Sequence, residues 1–177
     1  MALVVEDGTG LVGAESYASL EDANAYHLKM GNDGWPQPPG GNEVRQEAML
    51  RRSAAYLDNT YFLRMTGEKK NPDQGLAFPR TGAVDFQGEP LPDTVPKIYK
   101  DAQCEVALYM LQGLKLAPQV EAGARLKRKR VDVLEKEWFE GTEGEWPILG
   151  ALDLLLVSLF GPRVDDNQIK IAKITRA

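Results

Sequence analysis

A single cysteine, Cys104, and a single histidine, His27, stand in 177 residues, and that scarcity removes several chemistries at once. No internal disulfide can form, and the usual Cys- and His-rich metal sites have no material to draw on. Synthesis in a reducing cytoplasm fits. Cys104 lacks a local nucleophile signature, and a small core residue is the better reading. Long apolar runs are also missing. The stretch Ile148 to Phe160 is broken by Asp153 and falls short of the roughly 20 residues that cross a bilayer. The opening MALVVEDGTG has no basic segment followed by an apolar one, as a secretory signal requires. Positive charge is in short supply as well: 26 acidic residues against 21 basic ones give a net charge of -5. A general nucleic-acid coat is basic, so any contact with DNA must be local.

What is present is enough apolar matter, 43% of residues, to fill the core of one domain. The pattern is mainly α: a small bundle of about four helices, a protruding β-hairpin and an extended C-terminal tail. Residues 1–161 form the expected domain and 162–177 the tail. A short strand at Leu3 to Val5 ends in the turn Glu6-Asp7-Gly8. Ser19 and Asp22 read as a capping box for a first helix with Ala23, Tyr26, His27 and Met30 on one face and Gly31 as its stop. Asn42 caps a second helix to about Leu63, with Leu50, Ala54, Leu57 and Tyr61 as its buried row and Arg45 and Arg52 facing solvent. A third, entered through Val95-Pro96, repeats apolar residues at Ile98, Tyr99, Ala102, Val106, Tyr109 and Met110. A fourth, PILGALDLLLVSLF, is apolar on most sides and is expected to be largely buried. Arg125 to Val131 and Val133 to Phe139 read as two strands of a hairpin arm spanning about 125–140.

Two connections invite a functional reading. The Pro- and Gly-broken segment from Pro72 to Thr94 is longer than about 12 to 15 residues, a length that in a compact domain points to function or disorder. It carries Leu76, Phe78, Val84 and Phe86, and Phe78, Arg80 and Phe86, with Trp138 of the arm, are candidate subunit or partner contacts. The arm itself holds Arg125, Lys127, Arg128, Lys129 and Arg130, five cations in six positions. These could bind phosphate beside the stacking rings Trp138 and Phe139. The return strand brings Glu135, Glu137 and Glu140, so a self-neutralised, solvated face is the plainer reading. The tail alternates Ile169, Ile171 and Ile174 with Lys170, Lys173 and Arg176, which suits addition to a sheet edge or a groove on another protein; terminal disorder is the alternative.

Other signals fail when weighed. Gly8-Thr9-Gly10-Leu11-Val12-Gly13 matches G-x-G-x-x-G, but the next helix cap comes only at Ser19 and the following elements are helices, so a glycine-rich turn replaces a dinucleotide site. His27 on an apolar helix face reads as a packed, hydrogen-bonded residue. Carboxylate pairs such as Glu135 with Glu137 or Asp165 with Asp166 carry no catalytic message among so many acids. No cofactor, metal or enzymatic activity is expected.

Three stretches carry a family likeness: VVEDGTGLVGAESYASLEDANAYHLKMG, DQGLAFPRTGAVDFQGEPLPDTVPKIYKDAQCEVALYML and LKRKRVDVLEKEW. Together they resemble tailed-phage head-to-tail connector proteins, a family that carries the label "DnaT-like ssDNA-binding". The likeness covers most of Met1 to Phe160 and is most specific in VEDGTG, in FPRTG and in the helix entered through Val95-Pro96. It implies a structural virion protein of the neck, made in the host bacterial cytoplasm. Its expected partners are the portal protein, neighbouring copies in a ring, typically a dodecamer, a downstream neck or tail-completion protein, and packaged double-stranded DNA passing through the lumen; no membrane is involved. By the same analogy Ile169, Ile171, Ile174 and Arg176 meet the portal. The family label points to the rival reading, a single-stranded DNA-binding module of phage replication acting through Arg125 to Arg130.

Overall fold

A computed structural model describes residues 2–113 and 150–162. The order is α1 (Leu20–Met30), α2 (Glu43–Tyr61), a 3-10 turn (Phe62–Arg64), the two-residue strands β1 (Glu68–Lys69) and β2 (Arg80–Thr81), α3 (Lys97–Leu111), α4 (Gly150–Leu155) and α5 (Val157–Phe160). The protein is mainly helical, as its periodicity implies. The arm at 125–140 and the tail from Arg163 lie outside the described residues.

Helix starts follow from local chemistry. The Ser19 hydroxyl accepts from the Asp22 amide at 3.0 Å while the Asp22 carboxylate accepts from the Ser19 amide at 3.1 Å. This reciprocal cap satisfies two amides that the first turn leaves without partners. Asn42 caps α2 through the Arg45 amide, and Gly31 closes α1 in the left-handed region. Pro96 is the cap residue of α3, one place earlier than its first turn, so its missing N–H costs the helix nothing.

The centre is the pairing of α2 with α3. Ala54, Leu57 and Tyr61 are buried in one cluster with Tyr99, Ala102 and Val106, and Leu50 in a second with Cys104, Ala107 and Leu108; full burial of each larger side chain contributes about 1.5–3 kcal/mol. Two polar side chains organise this core. Asp58 on α2 accepts from the hydroxyls of Tyr17 (2.5 Å) and Tyr99 (3.0 Å) and from the Ala77 amide (2.8 Å). Burial raises the Asp58 carboxyl above its ordinary range and drives both tyrosines well above theirs. Gln103 on α3 accepts from the amides of Tyr17 and Ala18 and donates to the Ser16 hydroxyl and the Leu50 carbonyl. One side chain thereby ties the N-terminal segment to both central helices.

Three expectations change. The strand at Leu3–Val5 reduces to a single parallel bridge between Val5 and Ser16, because the following backbone turns away around Glu6. α2 stops at Tyr61 and tightens into the 3-10 turn. The fourth helix is two short ones broken at Leu156, and it buries one face: Leu152, Leu156 and Leu159 are inside, while Leu154 and Val157 are exposed.

The glycine-rich turn shows why no dinucleotide would sit there. The buried Glu6 carboxylate accepts from the amides of Gly8, Gly10 and Leu11 at 2.8–2.9 Å. The donors that could cradle a phosphate are already held by the chain's own anion.

Candidate protein-contact surface

The segment from Pro72 to Thr94 is tied down along much of its length. The hairpin β1–β2 pairs Glu68 with Thr81 and Lys69 with Arg80. Lys70 donates to the carbonyls of Gly8 and Asp93, and the Gln74 amide bridges Leu76 and Pro79. Phe78 is 2% exposed and meets Tyr99 edge-on, ring centroids 4.9 Å apart. Arg80 is buried as well, its guanidinium donating to the carbonyls of Thr66 and Gly67, both at 2.6 Å, and of Ala77. The contact role read for Phe78 and Arg80 therefore moves inward, since both are occupied by their own chain. Phe86 differs, being 61% exposed.

Phe86 lies at the joint from which residues 163–177 continue. Its amide donates to the Ser158 carbonyl, and its ring covers Gly161, whose φ of +75° and lack of a side chain allow the close approach. From the other side Arg64 donates to the carbonyls of Phe160 and Gly161 at 3.0 and 2.5 Å, with Asp153 at 3.7 Å. The guanidinium lies over the rings of Tyr61 and Phe160, which stack on each other, a geometry worth about 0.5–1 kcal/mol or more. Phe62, Leu63 (95% exposed), Leu154 and Val157 are exposed on the elements that meet here. The joint is thus hydrogen-bonded and ring-packed underneath and apolar outside.

An opening lies between α1, α3 and α4. Tyr26, Met30, Glu105, Tyr109, Ala151, Leu152 and Leu155 line a pocket of about 180 Å³. Glu105 accepts through Oε1 from the Tyr26 hydroxyl (2.9 Å) and the Asn32 amide (3.3 Å). Asn32 also meets His27 Nδ1 at 3.0 Å. His27 stacks on Trp35 at 4.5 Å, burial lowers its pKa, and its Nε2 has no partner among the described residues. Its packed reading holds, with one nitrogen unsatisfied. Burial pushes the Cys104 thiol up to about 12, so it stays protonated and unreactive at neutral pH.

The electrostatics run against a cationic cleft on this body. The described residues carry 17 of the 26 acidic side chains and 10 of the 21 basic ones. Most of those cations are engaged internally: Arg51 with Glu15 and Glu47, Lys97 with Asp101, Lys69, Lys70, Arg45, Arg64 and Arg80 with carbonyls. Among the described residues no group of three or more His, Cys, Asp or Glu side chains could hold a metal ion, and no helix is long and apolar enough to cross a membrane. Arg125, Lys127, Arg128, Lys129, Arg130 and Trp138, like Ile169, Ile171, Ile174 and Arg176, lie outside the described residues. Sequence reading missed Arg64, which sits in no motif, and marked Glu105 only as part of the family likeness of its helix, without a role; both acquire meaning through partners far along the chain.

No curated protein and no solved structure matches the chain. A family model does, over residues 1–177: the chain belongs to the family described as "Putative DnaT-like ssDNA binding protein".

Proposed function

We propose that this protein is a structural adaptor of a phage neck, forming a ring under the portal that extends the DNA channel and joins capsid to tail. The observation that carries the reading is the pairing of an acidic body with exposed apolar residues, Phe62, Leu63, Phe86, Leu154 and Val157, at the joint where the tail continues. Exposed apolar groups of this kind favour protein contacts, and a net-negative lumen lets DNA slide where a cationic lining would grip it. A ring of identical copies needs two different patches that meet on neighbouring subunits. The joint is one such patch; Ile169, Ile171, Ile174 and Arg176 are the portal anchors. The protein acts without catalysis, at the virion neck, and presents its far side to a downstream neck or tail-completion protein. Deleting residues 162–177 should abolish binding to the portal while the helical content and thermal transition of the remainder persist. Undiminished portal binding by the truncated chain refutes the assignment of the tail.

The family description favours a second reading, a single-stranded DNA-binding module. Its binding surface is the run Arg125 to Arg130, flanked by Trp138 and Phe139. If five phosphates are neutralised there, log K should fall with log salt at a slope of about -3.5, and reversing the charges should eliminate binding. A flat salt response removes this reading.

A further inference from the structure

We infer that the step from Asp33 to Gly34 is a modification site, at which the folded chain isomerises its own backbone to isoaspartate. The Gly34 amide nitrogen attacks the side-chain carboxyl carbon of Asp33; a C–N bond forms, and the carboxyl hydroxyl leaves with the amide proton as water. Hydrolysis of the resulting cyclic imide on its backbone side breaks the original peptide bond. The chain then runs through the side-chain carbon, one methylene longer, and the former backbone carbonyl is a free carboxylate. Water is released and taken up again, so no oxidant or other reactant is needed.

Such an attack is favoured by a carboxyl free to turn, by a neighbouring amide with no acceptor of its own, and by an attacking residue without a side chain. The chain contains two Asp-Gly steps, Asp7-Gly8 and Asp33-Gly34, and no Asn-Gly. They share the glycine and differ in everything else. Asp7 Oδ1 accepts from the Thr9 amide at 2.9 Å and the Thr9 hydroxyl at 2.6 Å, and the Gly8 amide donates to Glu6 Oε1 at 2.9 Å. The Thr9 hydroxyl, and after it the Thr9 amide, hold the Asp7 carboxyl below its ordinary range, which depletes the protonated form that loses water. Asp33 and Gly34, by contrast, are the central residues of a turn closed by the Trp35 amide on the Asn32 carbonyl at 3.1 Å. The amides of Gly31, Asn32, Asp33 and Trp35 all donate to backbone carbonyls. The Gly34 amide and the Asp33 carboxylate have no partner among the described residues, and both residues are exposed.

The added methylene falls beside a packed group. Trp35 is buried, stacks on His27 and donates from Nε1 to Asn24 Oδ1 at 2.7 Å, while Asn32 joins His27 to Glu105. Lengthening the chain between Asn32 and Trp35 breaks the turn's own backbone bond first, because the Trp35 ring is held from the other side.

This site stands apart from the adaptor reading, and its test needs no partner. The full chain is aged for weeks at neutral pH and physiological temperature, folded and in guanidinium chloride, and isoaspartate is located by methyltransferase labelling and fragmentation of tryptic peptides. Cleavage after Lys29 and Arg45 separates the two steps. The folded chain should carry several-fold more isoaspartate at Asp33 than at Asp7, and denaturant should erase the difference by freeing Asp7 and Gly8. Asp33→Glu, whose longer side chain closes the ring poorly, should remove the label from its peptide. Equal levels in the folded chain, an excess at Asp7, no label at Asp33, or an excess at Asp33 that persists in denaturant overturns the inference. As a second measurement, hydrogen exchange at the Trp35 amide should be several-fold faster in the aged chain than in fresh protein; equal exchange contradicts the opening of the turn.

Discussion

Gln103 offers the sharpest test of how the core is held. Its side chain is fully buried, and its Oε1 is the acceptor for the amides of Tyr17 and Ala18 at 3.0 and 2.9 Å. Replacing it with leucine, similar in size, leaves both amides buried without partners. The Leu50 carbonyl still receives the Ser53 hydroxyl, and the Ser16 hydroxyl still donates to Ala18, so those groups are not orphaned. Two unsatisfied amides at about 1–3 kcal/mol each give a loss of ~2–6 kcal/mol, a large share of the ~5–15 kcal/mol that holds a typical domain. Gln103→Glu separates the two halves of the role. It keeps the acceptor but turns an oxygen toward the Ser16 hydroxyl and the Leu50 carbonyl, and it buries a charge. Protonation restores a donor, so this variant should be less impaired at pH 5 than at pH 7. Urea unfolding followed by Trp35 fluorescence, a ring 1% exposed, reads both. A Gln103→Leu chain within about 0.5 kcal/mol of wild type, the scatter of a neutral surface change, would refute the argument.

Other outcomes follow from single residues. Gly67 and Gly82 both have φ of +67°, but a β-carbon at Gly67 meets Thr81 O at 2.5 Å and Ala83 N at 2.6 Å, whereas at Gly82 nothing lies within 4 Å. Gly82→Ala should cost about 1–2 kcal/mol and Gly67→Ala at least ~2 kcal/mol more, since backbone must move; equal urea midpoints would contradict this. His27 has its pKa lowered by burial from 6.5, so the unfolded chain binds the extra proton first. Its contribution is intact above pH 6.5 and is lost as pH falls through the folded value, at up to about 1.4 kcal/mol per pH unit. Asp58, raised from 3.8, acts oppositely, with folding favoured as pH falls through its folded value. His27→Gln should flatten the stability curve just below pH 6.5; an unaltered slope there places the effect elsewhere. Arg64→Ala should release the Phe160 and Gly161 carbonyls and raise hydrogen exchange in residues 157–162, and unchanged protection would deny Arg64 its role at the joint.

Helices were legible where the signal is local. The Ser19–Asp22 box, the Asn42 cap and Gly31 name their own ends, and the 3.6-residue row of α2 is buried; in α3 Tyr99, Ala102 and Val106 are buried as read, while Ile98, Tyr109 and Met110 are half-buried and Gln103, Cys104, Ala107 and Leu108 lie inside. The fourth helix misled because LDLLLVSLF is apolar all round, and composition alone does not show that Leu154 and Val157 face outward at a break after Leu155. The loop's aromatic residues misled in the opposite sense: Phe78 and Arg80 looked like contacts because nothing nearby in sequence covers them. Tyr99 and the carbonyls of Thr66 and Gly67 do so from a distance. Gln103, and the role of Glu105, were invisible for a related reason. Their partners lie 53 to 87 and 73 to 79 residues away, and a polar residue on a buried helix face has no signature until those partners arrive.

The central claim is that this protein works by docking on another protein ring. Mass photometry of the full chain alone, and mixed at moderate salt with the portal ring from the same genome, tests it most directly. The adaptor reading predicts a shift equal to about one 19.6 kDa subunit per portal subunit. No shift on mixing, together with salt-sensitive binding to single-stranded DNA, would contradict it and establish the second reading instead.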